Sequence, residues 1–471
     1  MEQKEKIHFM GVGGIGVSAL AKFAVSKGAS VTGSDLAENN RTRELAGLGA
    51  TIWLGQSEPV EPLPDTVVIS SAIPADNSEL RAYQKAGVRI IHRSELLAEY
   101  VGRFRGIAVA GTHGKTTTSS LLYHILAQAG LQPSALLGGE LIRERTNCVI
   151  GASDILVVEA DESDGSFVRT RPEIAVITSM DADVNVTAEA YEDCGFSKDK
   201  AQAAVEELFD QFVSNVRGGL VACYDHPHVR EHLPRWSSDT LTYGLTSKAD
   251  LSAGSLSFHD YQVTAEVSYR GEYAGIIHVP LPGRHNLLNA LGAVAVAVKL
   301  GVPLPKAMQH TRSFFGVRRR FEIVGRTGGK IYVDDYAHNP QKIEAALNGA
   351  REGNVERVIA VFQPHRYTRT KLLQASYPES FKAADMVLVT DIYASGEDPI
   401  EGVSIERLVE EINKVSPVIY TPGLAEVTRT LQKETRAGDI VVALGAGNVG
   451  RWIRRVSRWD KLGEKWPSQA T

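Results

Sequence analysis

Cysteine is scarce in this 471-residue chain: Cys148, Cys194 and Cys223 are odd in number and far apart. That argues against a disulfide framework or a cysteine-built zinc site and leaves buried thiols as the expectation. Long apolar runs are missing too. The most apolar helix-like stretch, Ala290 to Val298, stops at Lys299, well short of the roughly 20 residues that span a bilayer. Met1 to Lys6 leads straight into a short strand without the apolar core of a signal peptide. A soluble cytoplasmic protein with no membrane partner is expected, and the Asn185-Val-Thr187 sequon is read as chance. Nor is positive charge in surplus. Lys and Arg number 51 against 56 Asp and Glu, a formal net charge of -5, which offers no general surface for nucleic-acid phosphates. Anionic small ligands must be met by local basic clusters.

Glycine, by contrast, is placed with a pattern. Gly11-Val-Gly-Gly-Ile-Gly16 follows the strand-like Ile7 to Met10, Gly111-Thr-His-Gly-Lys-Thr116 follows Ile107 to Ala110, and Gly445-Ala-Gly-Asn-Val-Gly450 follows Ile440 to Leu444. Backbone N–H groups at a strand-to-helix turn, backed by the positive end of the helix, make a phosphate cradle. Three such loops match the roughly three domains that this length suggests at about 150 residues each. The fold class is therefore α/β with three domains: an N-terminal Rossmann-like domain over 1–105, a central P-loop ATPase-like domain over 106–321, and a C-terminal Rossmann-like domain over 322–471. In the first, strands at Ile7 to Met10, Ser30 to Thr32, Val67 to Ser70 and Val88 to Ile91 alternate with helical patterns, which predicts a parallel sheet. Asp35 ends its second strand, where a dinucleotide fold places an acidic ribose contact. Ser70, Ser71, His92 and Arg93 close later strands at the edge where such sheets bind ligands. The last glycine loop follows a late strand of its domain and is expected to serve close helix packing or to face a cleft.

Only the middle loop adds a lysine and hydroxyls. The ammonium of Lys115 can reach β- and γ-phosphates, and Thr116 can supply a magnesium ligand, although Gly111 stands only four residues before Lys115, closer than the strict P-loop spacing. Thr117 opens a long helix to Ala129. Downstream, the strand Asp154 to Val158 ends in Glu159, Asp161, Glu162 and Asp164. Like charges so close are costly without a cation; magnesium gives them a reason, and Glu159 is best placed. His285, Asn286 and Asn289 open another helix and suit a purine edge, with a plain N-cap at Asn286 as the alternative. Arg318, Arg319 and Arg320 stand at the second domain junction, where a hinge could bring guanidinium to a transferring phosphate. Asp334, Asp335, Tyr336 and His338 cap the first strand of the last domain, and His365, Arg366 and Arg369 cap the next. Together they predict a pocket for a small carboxylate.

With these motifs the chain resembles the Mur ligases over nearly its whole length. The blocks that carry the resemblance are Gly111-Thr-His-Gly-Lys-Thr-Thr-Thr118, Glu159 to Phe167, Phe362-Gln-Pro-His-Arg-Tyr-Thr-Arg369, Asp391 to Glu397 and Gly445 to Asn448. The last three look like the alanine-adding branch. The resemblance implies that ATP phosphorylates the lactyl carboxylate of UDP-N-acetylmuramate and that the amine of L-alanine attacks the acyl phosphate, a step in peptidoglycan precursor synthesis. It makes the first domain a UDP-sugar domain, with Gly13, Gly14, Ile15, Gly16, Asp35, Ser70, Ser71, His92 and Arg93 as its contacts. It puts ATP on Gly111, Thr112, His113, Gly114, Lys115, Thr116 and Thr117, its adenine on His285 and Asn289, its γ-phosphate near Arg320, and Mg2+ on Thr116 and Glu159. Tyr336, His338, His365, Arg366 and Arg369 face the amino acid, with His338 as candidate proton acceptor. Lys115, Glu159, Arg320 and His338 carry the catalysis, in a monomer or weak homodimer.

One departure stands out. Where the family shows an acidic residue followed by Asp-His-Leu/Met-Asp, this chain reads Asp181-Ala-Asp-Val-Asn-Val186, with Val184 in place of the metal-binding histidine. A second metal site is then rebuilt from Asp181, Asp183 or Asn185, supplied from elsewhere, or absent. A ligase for a different acceptor or amino acid, or a nucleotide-binding regulator, are the alternatives this leaves open.

Overall fold

A computed structural model describes residues 4–55, 59–162, 165–182, 198–236 and 239–462. It divides into two compact units, Met1–Ser252 with Leu291–His310, and Ala253–Ala290 with Thr311–Thr471. Three sheets in these units give the three-domain α/β architecture.

The first sheet takes β1 (Lys6–Met10), β2 (Ser30–Asp35), β3 (Thr51–Leu54), β4 (Thr66–Ile69) and β5 (Arg89–His92) in the order β3-β2-β1-β4-β5. Its strand pairs are all parallel, and the order reverses beside β1, so the loop after β1 opens into a crevice. β3 is a four-residue edge strand whose Ile52 and Trp53 are only half-buried, an element not among the expected strands.

The second sheet centres on β6 (Arg105–Ala110), flanked by β9 (Ile155–Ala160) and β10 (Ile174–Ile177). β7 (Ser134–Leu136) and β8 (Cys148–Val149) extend the β9 side, and β11 (Gly219–Cys223) and β12 (Thr240–Gly244) extend the other. β6, β9, β10 and β11 are almost wholly buried, which is why they read as unbroken apolar runs. The helix Lys115–Gln128 springs from β6 and is buried nearly all round. One continuous apolar core runs from Ile7 and Phe23 of the first sheet through Tyr100 to Ala108, Val158 and Phe209 of the second. No break in packing marks Arg105.

β13 (Leu251–His259) follows in the chain, and in the second unit β14 (Gln262–Tyr269) pairs antiparallel with β15 (Glu272–Val279), β14 alternating buried and less buried residues. The third sheet has the order β16-β17-β21-β18-β19-β20, from β16 (Glu322–Thr327), β17 (Lys330–Asp335), β18 (Arg357–Phe362), β19 (Met386–Val389), β20 (Val418–Tyr420) and β21 (Asp439–Leu444). The expected first strand of this domain, the one ending in Asp334 and Asp335, is preceded by β16, which pairs with it antiparallel as an edge. Last in chain order, β21 sits between β17 and β18. Its glycine loop therefore emerges beside the two strand ends that carry the His and Arg residues. Separate apolar clusters cover the two faces, one under the helix Pro340–Arg351 and one under the helix Val449–Leu462.

Candidate active site

Where β6 ends, Gly111 takes φ of +136°, and a Cβ there would meet Thr178 Oγ1 at 2.0 Å, so this turn requires glycine. Gly114, at φ +81°, is the N-cap of the helix Lys115–Gln128. Between them the loop is fastened to the exit of β10. Thr112 Oγ1 donates to the Asp181 carbonyl at 2.8 Å, Ser179 Oγ accepts from the His113 amide at 2.8 Å, and Thr178 Oγ1 donates to the His113 carbonyl at 2.5 Å.

Lys115 Nζ donates to the Gly111 carbonyl at 2.8 Å and to Glu162 Oε2 at 2.5 Å, with Asp161 Oδ1 3.7 Å away. Glu159 accepts from Thr116 Oγ1 at 3.2 Å, Ser119 Oγ at 3.3 Å and the Gly138 amide at 2.7 Å. The expected lysine, hydroxyl and carboxylate thus meet in one place. Burial opposes the charge on Lys115, but Glu162, Asp161 and Glu159 together outweigh it and hold the ammonium above its ordinary pKa. For Glu162, burial and the nearby Asp161 charge exceed what Lys115 returns, and its carboxyl is raised. Thr116 and Glu159 offer hard oxygen donors side by side. They fit Mg2+, which takes one or two protein oxygens and fills its octahedron with water and phosphate. Among the described residues no group of three or more His, Cys, Asp or Glu is gathered to hold a metal ion.

Beyond the loop, Asp181 Oδ2 lies 3.1 Å from His226 Nε2 and 3.6 Å from His113 Nε2. Burial raises its pKa, yet the His226 hydrogen bond and the surrounding imidazoles bring it below the ordinary value. Val184, Asp183, Asn185 and Asp164 lie outside the described residues, as do Cys194 and the Asn185 sequon. Cys148 and Cys223 are buried free thiols.

At the edge of the first sheet, Gly14 and Ile15 are exposed at the start of the helix Ile15–Ser26. Asp35 Oδ2 accepts from the Gly13 amide at 2.8 Å, so this acid braces the loop itself. The Arg93 guanidinium reaches over Gly16, where a Cβ would stand 3.4 Å from Nη1. Ser71 Oγ pairs with His92 Nε2 at 3.2 Å, and Ser70 follows β4 half-buried beside it. Gly16, Ser71, His92 and Arg93 thus gather along one edge.

A further cluster forms at the ends of β17, β18 and β21. Arg319 donates to the carbonyls of Gly445 at 2.6 Å, Ala446 at 3.3 Å and Gly447 at 3.3 Å. The last glycine loop therefore turns carbonyls toward a guanidinium. Gly450 meets the other expectation, since a Cβ there would be 2.3 Å from Asp334, and its absence lets the helix pass close to β17. Arg319 and Arg320 lie over the Tyr336 ring at 4.8 and 5.4 Å, while Arg318 faces Glu322 at 3.7 Å. His338 Nδ1 donates to the Tyr336 carbonyl at 2.8 Å, which leaves Nε2 as the acceptor nitrogen. Burial first, then Lys342 and Arg369, drive its pKa well below the ordinary 6.5. His365 stacks on Tyr393 at 5.4 Å and accepts from Arg369 Nη1 at 3.0 Å; burial, Arg369 and Arg366 lower it to about 4. Arg366 is paired with Glu397, which also accepts from Thr368 N at 3.0 Å and Thr368 Oγ1 at 2.7 Å. Arg319, Phe321 and Arg366 all hold left-handed backbone, at φ +60°, +44° and +71°, the kind of strain that collects at functional sites.

The purine-edge candidates sit at the start of the helix Arg284–Lys299. Asn286 lies inside the first turn and donates to the Pro282 carbonyl at 2.6 Å, so the N-cap alternative is set aside. Asn289 donates to Asn286 Oδ1 at 3.2 Å, and the His285 ring folds against Gly283. Residue-by-residue reading missed Glu397, Tyr393 and Gln363 as individuals, though each falls inside a quoted block. Gln363, buried, donates to Asn448 Oδ1 at 2.7 Å and accepts from the Asn448 amide at 2.9 Å, tying β18 to the last glycine loop.

Three family models match in chain order: the Mur ligase family catalytic domain over residues 6–105, the Mur ligase middle domain over 109–297, and the Mur ligase glutamate ligase domain over 319–447. The chain is 42% identical to a UDP-N-acetylmuramate--L-alanine ligase of Sorangium cellulosum, with 98% of this chain and 97% of that one aligned. A protein of the same name from Anaeromyxobacter dehalogenans is 42% identical over 95% of this chain and 96% of its own. Among solved structures, the UDP-N-acetylmuramate-alanine ligase MurC of Thermotoga maritima superimposes with a TM-score of 0.80 at 27% identity, covering 98% of this chain and all of that one.

Proposed function

The chain belongs to the Mur ligase family, and from that premise we infer that it is an ATP-dependent ligase joining L-alanine to UDP-N-acetylmuramate. The observation that carries this reading is the meeting of Lys115, Thr116 and Glu159 at the end of β6, in a chain alike from end to end to ligases of that name. The alternatives of a different acceptor or a silent regulator are not favoured by so complete a likeness.

A carboxylate is a poor electrophile because its charge is shared between two oxygens. Phosphorylation converts one of them into a leaving group, and the amine then adds through a tetrahedral oxyanion that needs nearby positive charge. We assign the phosphates to the loop from Gly111 to Thr117, with Lys115 on the transferring group and Arg320 as a further cation. Mg2+, held by Thr116 and Glu159, would neutralise phosphate charge. Adenine is assigned to His285 and Asn289, and the UDP-sugar to the first-sheet edge from Gly13 to Arg93. The amino acid is assigned to Tyr336, His338, His365, Arg366 and Arg369. His338 presents Nε2 as an acceptor, but its depressed basicity suits a brief proton relay more than a resting base. Glu397 holds Arg366 in place for the amino-acid carboxylate. We also propose domain limits at 105/106 and 321/322, a cytoplasmic location, where ATP and nucleotide sugars are found, and a monomer or weak homodimer.

No helix among the described residues is long and apolar enough to cross a membrane. The test is phosphate release from ATP and Mg2+ with UDP-N-acetylmuramate and each amino acid in turn. Release that depends on L-alanine is expected; release with another amino acid only, or none with any, overturns the assignment.

A further inference from the structure

We propose that Glu162 competes with the nucleotide phosphates for the Lys115 ammonium, so that a polyphosphate bound on this loop must draw the cation away from that carboxylate. The inference rests on reading this loop as the ATP site and goes beyond it by naming the group that ATP displaces.

An ammonium has three N–H donors. In this structure one goes to the Gly111 carbonyl and one to Glu162 Oε2, with Asp161 Oδ1 at 3.7 Å on a further side. The Lys115 side chain is 14% exposed and that of Glu162 6% exposed, so water contributes little to either charge. A lysine left bare in so dry a place would be costly, and a buried partner offsets part of that cost. Glu162 is also distinct from the carboxylate assigned to the metal. Glu159 is engaged by Thr116, Ser119 and the Gly138 amide, whereas Glu162 stands three residues on and reaches only to the lysine among those loop groups. A phosphate that takes the N–H now given to Glu162 competes with a carboxylate already seated there. Such a competitor lowers affinity for any nucleotide and lowers it most where binding depends on Lys115, in ATP and ADP, while adenosine, which has no phosphate, feels nothing.

The test is calorimetric titration of the full chain with the non-hydrolysable ATP analogue AMP-PNP and Mg2+, and separately with adenosine, for the parent and for Glu162→Gln. Glu162→Gln keeps the shape and removes the competing charge. It is expected to bind AMP-PNP roughly tenfold tighter, about 1.4 kcal/mol, with adenosine affinity unchanged. Unchanged or weaker AMP-PNP binding by a variant with an intact thermal transition overturns the inference, and so does equal tightening for adenosine. Should Glu162→Gln fail to fold, Glu162→Asp carries the comparison. Its shorter side chain loosens the pair, so it must tighten AMP-PNP over adenosine by a smaller factor, and no change overturns the inference. Failure of the parent itself to bind AMP-PNP would instead remove the ATP-site reading, a separate outcome from parent and variant binding alike.

Discussion

Lys115, in the loop after β6, feels the charges of three carboxylates, Glu162, Asp161 and Glu159, and its removal should be felt in turnover before anything else. Lys115→Ala is expected to lower kcat about 100- to 1000-fold, read as phosphate release with L-alanine present. A variant as active as its parent would mean that phosphate transfer occurs elsewhere. A different residue adds a pH dependence to the stability of the fold. His124 is buried, its Nε2 lies 3.1 Å from the His310 carbonyl, and burial, only partly offset by that bond, lowers its pKa to about 4 from 6.5. Between those values the unfolded chain holds a proton that the folded chain refuses. Stability is therefore fully present above about 6.5 and is lost as pH falls toward 4, by at most about 1.4 kcal/mol per pH unit from this one group. His124→Gln, which keeps a donor but does not titrate, should flatten the fall of melting temperature between pH 6.5 and 4.5. An identical slope would assign the acid sensitivity to other groups. Of these two residues only Lys115 was legible in the sequence. Its loop spacing encodes a backbone turn, while the carbonyl that receives His124 comes from a residue far along the chain.

At the scale of elements, strand ends and the glycines beside them decide where the carboxylates point. Gly138 follows β7, and a Cβ there would sit 2.4 Å from Glu159 Oε2 and 2.7 Å from Oε1. Gly138→Ala must push that carboxylate aside without touching the loop. We expect the half-saturating Mg2+ concentration for turnover to rise about tenfold, with melting temperature nearly unchanged; an unaltered Mg2+ requirement would separate Glu159 from the metal. Gly450→Ala acts on packing instead. Its Cβ would meet both Asp334 oxygens, at 2.3 and 2.5 Å, beside the Arg454 guanidinium that donates to Asp334 at 3.0 Å. A loss of about 1–3 kcal/mol in unfolding free energy is expected, measured by denaturant titration. Strands buried on both faces, such as β6, β9 and β21, were legible because they are runs of β-branched and apolar residues between glycine turns. β3 and β16 were not, since edge and half-exposed strands take their form from a neighbour that the local pattern does not name, whereas β14 does carry a strand's alternation, away from the glycine loops that marked the other strands.

Across the whole molecule, the three-loop pattern gave three sheets, yet packing joins the first two more closely than the loops imply. Phe23, from the helix after β1, meets Tyr100 at 5.0 Å and Phe104 at 5.6 Å, both edge-on, and Lys27 lies 5.0 and 4.9 Å over the rings of Phe23 and Phe104. Phe104 directly precedes Arg105, the first residue of β6, and the same apolar cluster continues into the second sheet. The proposed limit at 105/106 thus falls at the start of β6, inside one continuous core. A fully buried phenylalanine cut back to alanine costs about 3–5 kcal/mol. If the core is shared, Phe23→Ala must loosen both sheets together: amide exchange should speed up in β6 and β9 as well as in β1 and β4, by a similar factor. Exchange that quickens in β1 and β4 alone would show that the first domain opens independently. The family boundary would then also be a boundary of cooperative folding, and the continuous core a contact between two separately stable bodies.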